Sequence, residues 1–211
     1  MNPLFAAAAE IQDYLQNAGE QFCFIGAVAL QRWGEPRFTR DVDLTLLCAY
    51  GSEQQAADRL LASFASRIPD ARAFALQHRV LLLRSATGIP IDIAFGAILF
   101  EERCVARATA FDFGIANLLT CSAEDLVVLK AFAGRPQDWV DIESVAVRQH
   151  RVLDWNLVFE ELEPLAAVRD VPGLLDRLRR LADYDGLDVS PVPIPPRECL
   201  ENNEILRGAG Q

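Results

Sequence analysis

The chain has 211 residues, 51% of them hydrophobic and 24% charged, and a formal net charge of −10. That length accommodates one sizeable core, or a core with a helical appendage. The acidic balance argues against broad electrostatic binding to nucleic acid, which needs clustered cations: residues 1–121 carry 10 Arg against 13 Asp and Glu, and residues 122–211 carry 10 Lys and Arg against 17. No uninterrupted apolar stretch approaches the roughly 20 residues needed to span a bilayer, and the N-terminal MNPLFAAAAE lacks the basic leader of a secretory signal. Five scattered cysteines, Cys23, Cys48, Cys104, Cys121 and Cys199, form no CxxC pair and read as reduced thiols of a cytoplasmic protein.

Asn2 and Pro3 make a cap and first-turn pair for a helix over about 3–17, with Leu4, Ala7, Ala8, Ile11 and Leu15 at helical spacing. A strand over about 22–25 ends at Gly26, which opens a short helix through Trp33, and Gly34-Glu35-Pro36 breaks that helix before a strand at about 41–48. Ser52 is expected to cap an amphipathic helix carrying Ala56, Leu60, Phe64 and Ala65 and ending near Pro69. Strands at about 79–85 and 89–95 flank Ala86-Thr87-Gly88 as a hairpin, and a further strand is expected at about 114–120. Ser122 and Asp125 form a capping box for a helix, Pro136 starts another to about 148, Asp154 caps a third, and Pro172 opens a fourth to about 183. The proline-rich segment from Asp188 reads as an extended tail. The order specifies an α/β (α+β) fold: a mixed-sheet core over 1–121, a helical region over 122–187 and a tail over 188–211.

Asp41 and Asp43 flank Val42 in an apolar run, so a strand's period of two puts both carboxylates on one face. Two like charges side by side need a cation. Asp92 lies in Ile89-Pro90-Ile91-Asp92-Ile93, where an ionised carboxylate is costly unless something neutralises it. Three aspartates downstream of a glycine turn point to divalent metal and phosphate, because Gly26 lets backbone approach phosphates closely and the following helix presents free N–H groups. The plainer alternative pairs Asp41 and Asp43 with Arg37 or Arg40, and Asp92 with an arginine such as Arg84. The residues favour such balancing for Arg40, leave Arg37 open, and make Thr39 a turn or strand residue. Lys130 is the sole lysine beside nineteen arginines, which marks it either as a compact point charge for phosphate or as an exposed helix residue. Asp138 and Asp141 lie three apart with Arg135 a turn before, a pattern for a salt-bridged or solvated helix face. His78 and His150 have no neighbour at ligand spacing.

The Gly26-Ala27 turn, the run Arg37-Phe38-Thr39-Arg40-Asp41-Val42-Asp43-Leu44, the lone Asp92, and the segment from Ser122 to Lys130 with Arg135, Asp138 and Asp141 span about 20–145. Together they resemble the nucleotidyltransferase superfamily, whose fold is like that of DNA polymerase beta, and within it the abortive-infection type IV toxin branch. The resemblance implies Mg²⁺-dependent transfer of a nucleoside monophosphate from an NTP to a hydroxyl. Asp41, Asp43 and Asp92 then hold two Mg²⁺ ions, Asp92 also serving as base. Gly26, Ala27, Arg37 and Lys130 bind nucleotide, and Thr39, Arg40, Arg135, Asp138 and Asp141 lend support, Asp138 and Asp141 by orienting Lys130 or the acceptor. The family turn is usually Gly-Ser or Gly-Gly; Ala27 keeps it small but removes a hydroxyl. Toxins of this type are associated with tRNA ends, whereas other members modify small molecules or proteins, and a cognate antitoxin is a further implied partner. A second reading is a catalytically weak nucleotidyltransferase-like protein that acts by binding a partner.

Overall fold

The computed structural model describes residues 2–169 and 173–184. Its elements in chain order are α1 (Pro3–Asn17), β1 (Phe22–Phe24), α2 (Gly26–Trp33), β2 (Val42–Leu47), α3 (Glu53–Leu61), β3 (Ala65–Ser66), α4 (Ala71–His78), β4 (Val80–Arg84), β5 (Pro90–Gly96), α5 (Leu99–Arg107), β6 (Thr109–Asp112), β7 (Asn117–Thr120), α6 (Ala123–Ala133), α7 (Pro136–Arg148), α8 (Trp155–Arg169) and α9 (Leu174–Tyr184). The strands form one sheet in the order β3-β4-β5-β2-β1-β7-β6. It is mixed: β2 pairs parallel with β5 and β1 parallel with β7, while the other pairs are antiparallel.

Alternation along the strands divides the core in two. Phe22, Phe24, Leu44, Leu46, Ile91 and Ile93 bury one face against α1, α3 and α4. Cys23, on the opposite face, joins Leu30 of α2, Cys104 of α5 and the apolar sides of α6 to α9. That second face also carries Asp43, Thr45 and Asp92, since Cys23 pairs with Thr45 and Asp43 with Asp92. Cys23, Cys48, Cys104 and Cys121 are free and buried, and Cys199 lies outside the described residues. Among the described residues no helix is long and apolar enough to cross a membrane.

Several expected elements stand where local signals put them. Asn2 accepts from the Leu4 amide at 3.1 Å, Asp154 accepts from the Asn156 and Leu157 amides at 3.0 and 3.2 Å, and the hairpin joins β4 to β5. Others differ. Ser52 makes no capping hydrogen bond, and α3 stops at Leu61, short of Pro69. The residues between hold β3, and α4 begins just past Pro69; Ile68, which precedes the proline, is pushed out of helical geometry. The expected strand at 114–120 begins with a turn about Gly114, whose amide donates to Asp112, and β6, exposed throughout, supplies the pairing strand instead. Asp125 spends its carboxylate on Arg107 and the Ser122 hydroxyl rather than completing a reciprocal box. Pro172 and the tail from 188 lie outside the described residues.

Arg107 ties the sheet side to the helices. Its guanidinium holds Asp125 of α6 at 2.5 Å and Glu161 of α8 at 2.8 Å, and Arg103 adds a bidentate pair to Glu161. The Arg103 hydrogen bond, followed by those from Arg107, holds the Glu161 carboxyl below its ordinary value against the opposing effect of burial. A depressed folded-state pKa stabilises the fold above the unfolded value of about 4.3 and loses that contribution as pH falls. Arg107→Met should therefore cost on the order of 3 kcal/mol at pH 7, because it strands the buried Asp125 without a cation and leaves Glu161 to Arg103 alone. Urea midpoints should show the gap from the parent narrowing below about pH 4, where the Glu161 carboxyl takes up its proton.

Candidate active site

Parallel pairing of β2 with β5 makes Asp43 and Asp92 direct Cα partners. Their side chains therefore leave the sheet on one face, and Asp41, just before β2, joins them. Each of the three carboxylates offers an oxygen, and these oxygens all lie within 4.8 Å of one another. Burial, then the charges of Asp41 and Asp92, push the Asp43 carboxyl up to about 6, against the opposing fields of Lys130 and Arg135. Burial also raises Asp92, which Arg67 partly offsets.

The Asp92 oxygens have different surroundings. Oδ2 accepts from Arg67 at 2.9 Å, whereas Oδ1 is buried with no hydrogen-bond partner among the described residues. A buried acceptor left without a partner costs about 1–3 kcal/mol. Three hard oxygen donors, one of them from a carboxylate with an unsatisfied oxygen, fit a divalent cation such as Mg²⁺, which is bound through one or two carboxylates and completes its shell with water and phosphate.

Gly26 opens α2 directly against this cluster. Its φ is +56°, and a Cβ built there would meet Asp43 Oδ2 at 2.4 Å, so a side chain would be strained and would collide with a carboxylate. The preceding Ile25 amide donates to the Asp43 carbonyl at 3.0 Å, fixing the turn to β2. Ala27 is buried. Thr39 donates its hydroxyl to Asp41 Oδ1 at 2.9 Å, a site contact beyond its expected part as a turn or strand residue.

The remaining sequence candidates form a second cluster. Lys130 is buried rather than exposed, and its ammonium lies 2.6 Å from Asp141 and 3.4 Å from Asp138. Arg37 grips Asp141 through a two-point contact at 2.9 and 3.0 Å, Gln137 adds a third hydrogen bond, and Arg135 holds Asp138 at 2.8 Å. Burial alone would raise Asp141, but hydrogen bonds from Arg37, Lys130 and Gln137 outweigh it and hold the carboxyl below its ordinary value. Asp138 and Asp141 are thus interior counter-ions and not a solvated face. Lys130→Ala would take a buried cation from both acids and leave Arg37 and Arg135 to compensate them alone, so that variant reports on folding before it reports on binding. Arg40 pairs with no carboxylate among the described residues; its guanidinium sits 5.9 Å from the Phe38 ring centroid.

The arginine on Asp92 is Arg67 and not Arg84. Arg84 stands opposite Pro90, two residues along β4 from the Asp92 partner Leu82, and turns to the Gly88 carbonyl. Arg67 follows β3, its amide tied to the Leu82 carbonyl at 3.0 Å. The one local signal for it is Ile68-Pro69, which ends helical geometry just beyond.

The family described as nucleotidyl transferase AbiEii toxin, type IV toxin–antitoxin system, matches residues 12–185. The chain belongs to that family and is a transferase of the nucleotidyltransferase type. Solved structures similar to it include an antigenic nucleotidyltransferase-like protein from Paracoccidioides brasiliensis, at 15% identity over 82% of this chain and 91% of that one, with a TM-score of 0.48. The antibiotic-resistance factor ANT(2″)-Ia is similar at 14% identity over 83% and 96%, TM-score 0.49. The lincosamide antibiotic adenylyltransferase LnuA, in a lincomycin-bound form, is similar at 12% over 68% and 94%, TM-score 0.45. Among curated protein sequences none matches the chain.

An acid whose folded pKa is raised weakens the fold as it ionises: between about 3.9 and 6 the native state holds more protons than the unfolded chain, so stability falls as pH rises through that window. Asp43→Asn should accordingly stabilise the metal-free protein at pH 7 by on the order of 1–3 kcal/mol, with a smaller gain at pH 5. Thermal unfolding with and without Mg²⁺ should show a metal-dependent rise in the parent that shrinks in this variant.

Proposed function

We propose that this protein is a divalent-metal-dependent nucleotidyltransferase that moves a nucleoside monophosphate from an NTP to a hydroxyl, as the toxin of a toxin–antitoxin pair in the cytoplasm. The observation that carries the reading is the convergence of Asp41, Asp43 and Asp92, with Asp92 Oδ1 left without a hydrogen-bond partner among the described residues, in a chain of this family. These three carboxylates would hold Mg²⁺, two ions by family resemblance; when bound, the metal neutralises phosphate charge and lowers the cost of ionising the acceptor hydroxyl. Gly26 and the amides opening α2 receive the triphosphate, with Arg37 and Lys130 as the nearby cations. Thr39, Arg40, Arg135, Asp138 and Asp141 support them, and Arg67 orients Asp92. In the transfer, the acceptor oxygen bonds to the α-phosphorus, the bond from that phosphorus to the bridging oxygen breaks, pyrophosphate leaves, and the hydroxyl proton passes to Asp92.

The acceptor is a tRNA end, a small molecule or a protein; an acidic chain of net charge −10 favours a small or locally bound one. We read residues 1–121 as the catalytic core and 122–187 as the helical region that completes it. The second reading, a weakly catalytic protein acting through a bound partner, draws on one observation: Asp92 and Lys130 both sit in internal ion pairs.

Asp92→Asn preserves shape and removes charge. It should retain Mg²⁺-dependent NTP binding by calorimetry while transfer of label from NTP to total RNA or protein falls by roughly 10²- to 10⁴-fold, the range for a lost general base. Transfer at the parent rate by this variant would remove Asp92 from the chemistry. No transfer by the parent with any NTP would shift the weight to partner binding.

A further inference from the structure

We propose that the cavity beside the carboxylate cluster is a nucleobase subsite in which Phe38 is the stacking platform and Arg40 and Gln31 supply the polar edge. The inference rests on the nucleotidyltransferase reading and adds to it where a heterocycle would sit.

Phe38 is 81% exposed. An aromatic ring so placed forgoes the burial that usually justifies it. The ring stands at a cavity of about 530 Å³ whose lining also includes Pro3, Gln31, Thr39, Arg40 and Pro90. That volume lies within the roughly 300–1,000 Å³ of small-molecule sites. The two prolines give stiff apolar walls, which suit a flat, rigid ligand.

Position links the cavity to the chemistry. Thr39 lines it and donates to Asp41 Oδ1 at 2.9 Å, so one hydrogen bond separates the cavity wall from the proposed metal ligands. Phe38 is the neighbour of Thr39 in the chain. A ligand stacked there would have its reactive end close to the carboxylates.

Charge narrows the ligand further. Arg37, also in the lining, is committed to Asp141, but Arg40 has no carboxylate partner among the described residues and lies near the Phe38 ring. An uncompensated guanidinium beside an exposed ring, in a chain of net charge −10, selects an electron-rich planar group with phosphate attached or nearby. Gln31 makes no side-chain hydrogen bond among the described residues, and its amide offers a donor and an acceptor to a base edge. Phosphate alone would leave the ring unused, and a purely apolar ligand would leave the guanidinium unused; a nucleobase uses both. Two sources share this chemistry: the base of the NTP donor, and a base of a single-stranded polynucleotide acceptor.

The test compares the parent with Phe38→Ala and Phe38→Trp in the full chain. Calorimetry with Mg²⁺ measures binding of each NTP, of inorganic tripolyphosphate as a base-free probe, and of a short single-stranded RNA. Urea midpoints of the variants should match the parent because the ring is exposed. Phe38→Ala should weaken binding of the NTP or of the RNA by roughly 5- to 150-fold, the range for one lost stacking platform, and leave tripolyphosphate unchanged; Phe38→Trp should restore it. Loss confined to NTP assigns the base to the donor, and loss confined to RNA assigns it to the acceptor. Unchanged binding of both by Phe38→Ala, an equal loss of tripolyphosphate, or a parent that binds neither base-bearing probe would overturn the subsite. A parent that binds through Phe38 but transfers no label would keep the subsite and refute the transferase reading instead.

Discussion

Three carboxylates are held within a few ångströms of one another by a sheet register, and much of the molecule is arranged around that repulsion. Because β2 and β5 run parallel with Asp43 opposite Asp92, neither side chain can turn away without a slip that would invert both strands and expose Leu44, Leu46, Ile91 and Ile93. The hydrophobic face on one side of the sheet thus enforces the charged cluster on the other. Apolar burial supplies the restraint that the ionised groups would oppose if left to themselves.

Local compensation is incomplete. Arg67 takes one oxygen of Asp92 and Thr39 one oxygen of Asp41, but Asp43 has the Gly26 backbone against it, and its carboxyl is pushed up to about 6. A carboxylate cluster that costs stability and keeps an unsatisfied acceptor among the described residues shows the usual tension between stability and function.

The second cluster explains why the helical half is more than an appendage. Arg37 lies on the segment leading into β2, and its partner Asp141 lies on α7, with Lys130 of α6 between Asp141 and Asp138. Breaking any of these pairs strips compensation from a buried carboxylate, so the loop carrying Phe38, Thr39 and Asp41 is anchored to the helices across the site. Arg103 and Arg107 do the same from α5 toward α6 and α8. The sheet and the helices are fastened by charge on two sides of the shared apolar core.

What the sequence determined by itself is what local physics encodes. Spacing of two along an apolar run put Asp41 and Asp43 on one face, capping residues placed α1 and α8, and a hairpin turn paired β4 with β5. Short elements were illegible: β3 has two residues, α5 has two buried anchors, Phe100 and Cys104, and β6 is exposed throughout, so none carries a readable period. Only the tertiary structure decided the pairings. Arg67 meets Asp92 from 25 residues away and Arg37 meets Asp141 from 104, and Lys130, which by sequence stood as well for an exposed residue, is buried between two acids. A sequence states which residues are charged, whereas Coulomb energy and desolvation depend on distance and burial, and these are set when the sheet and helices pack.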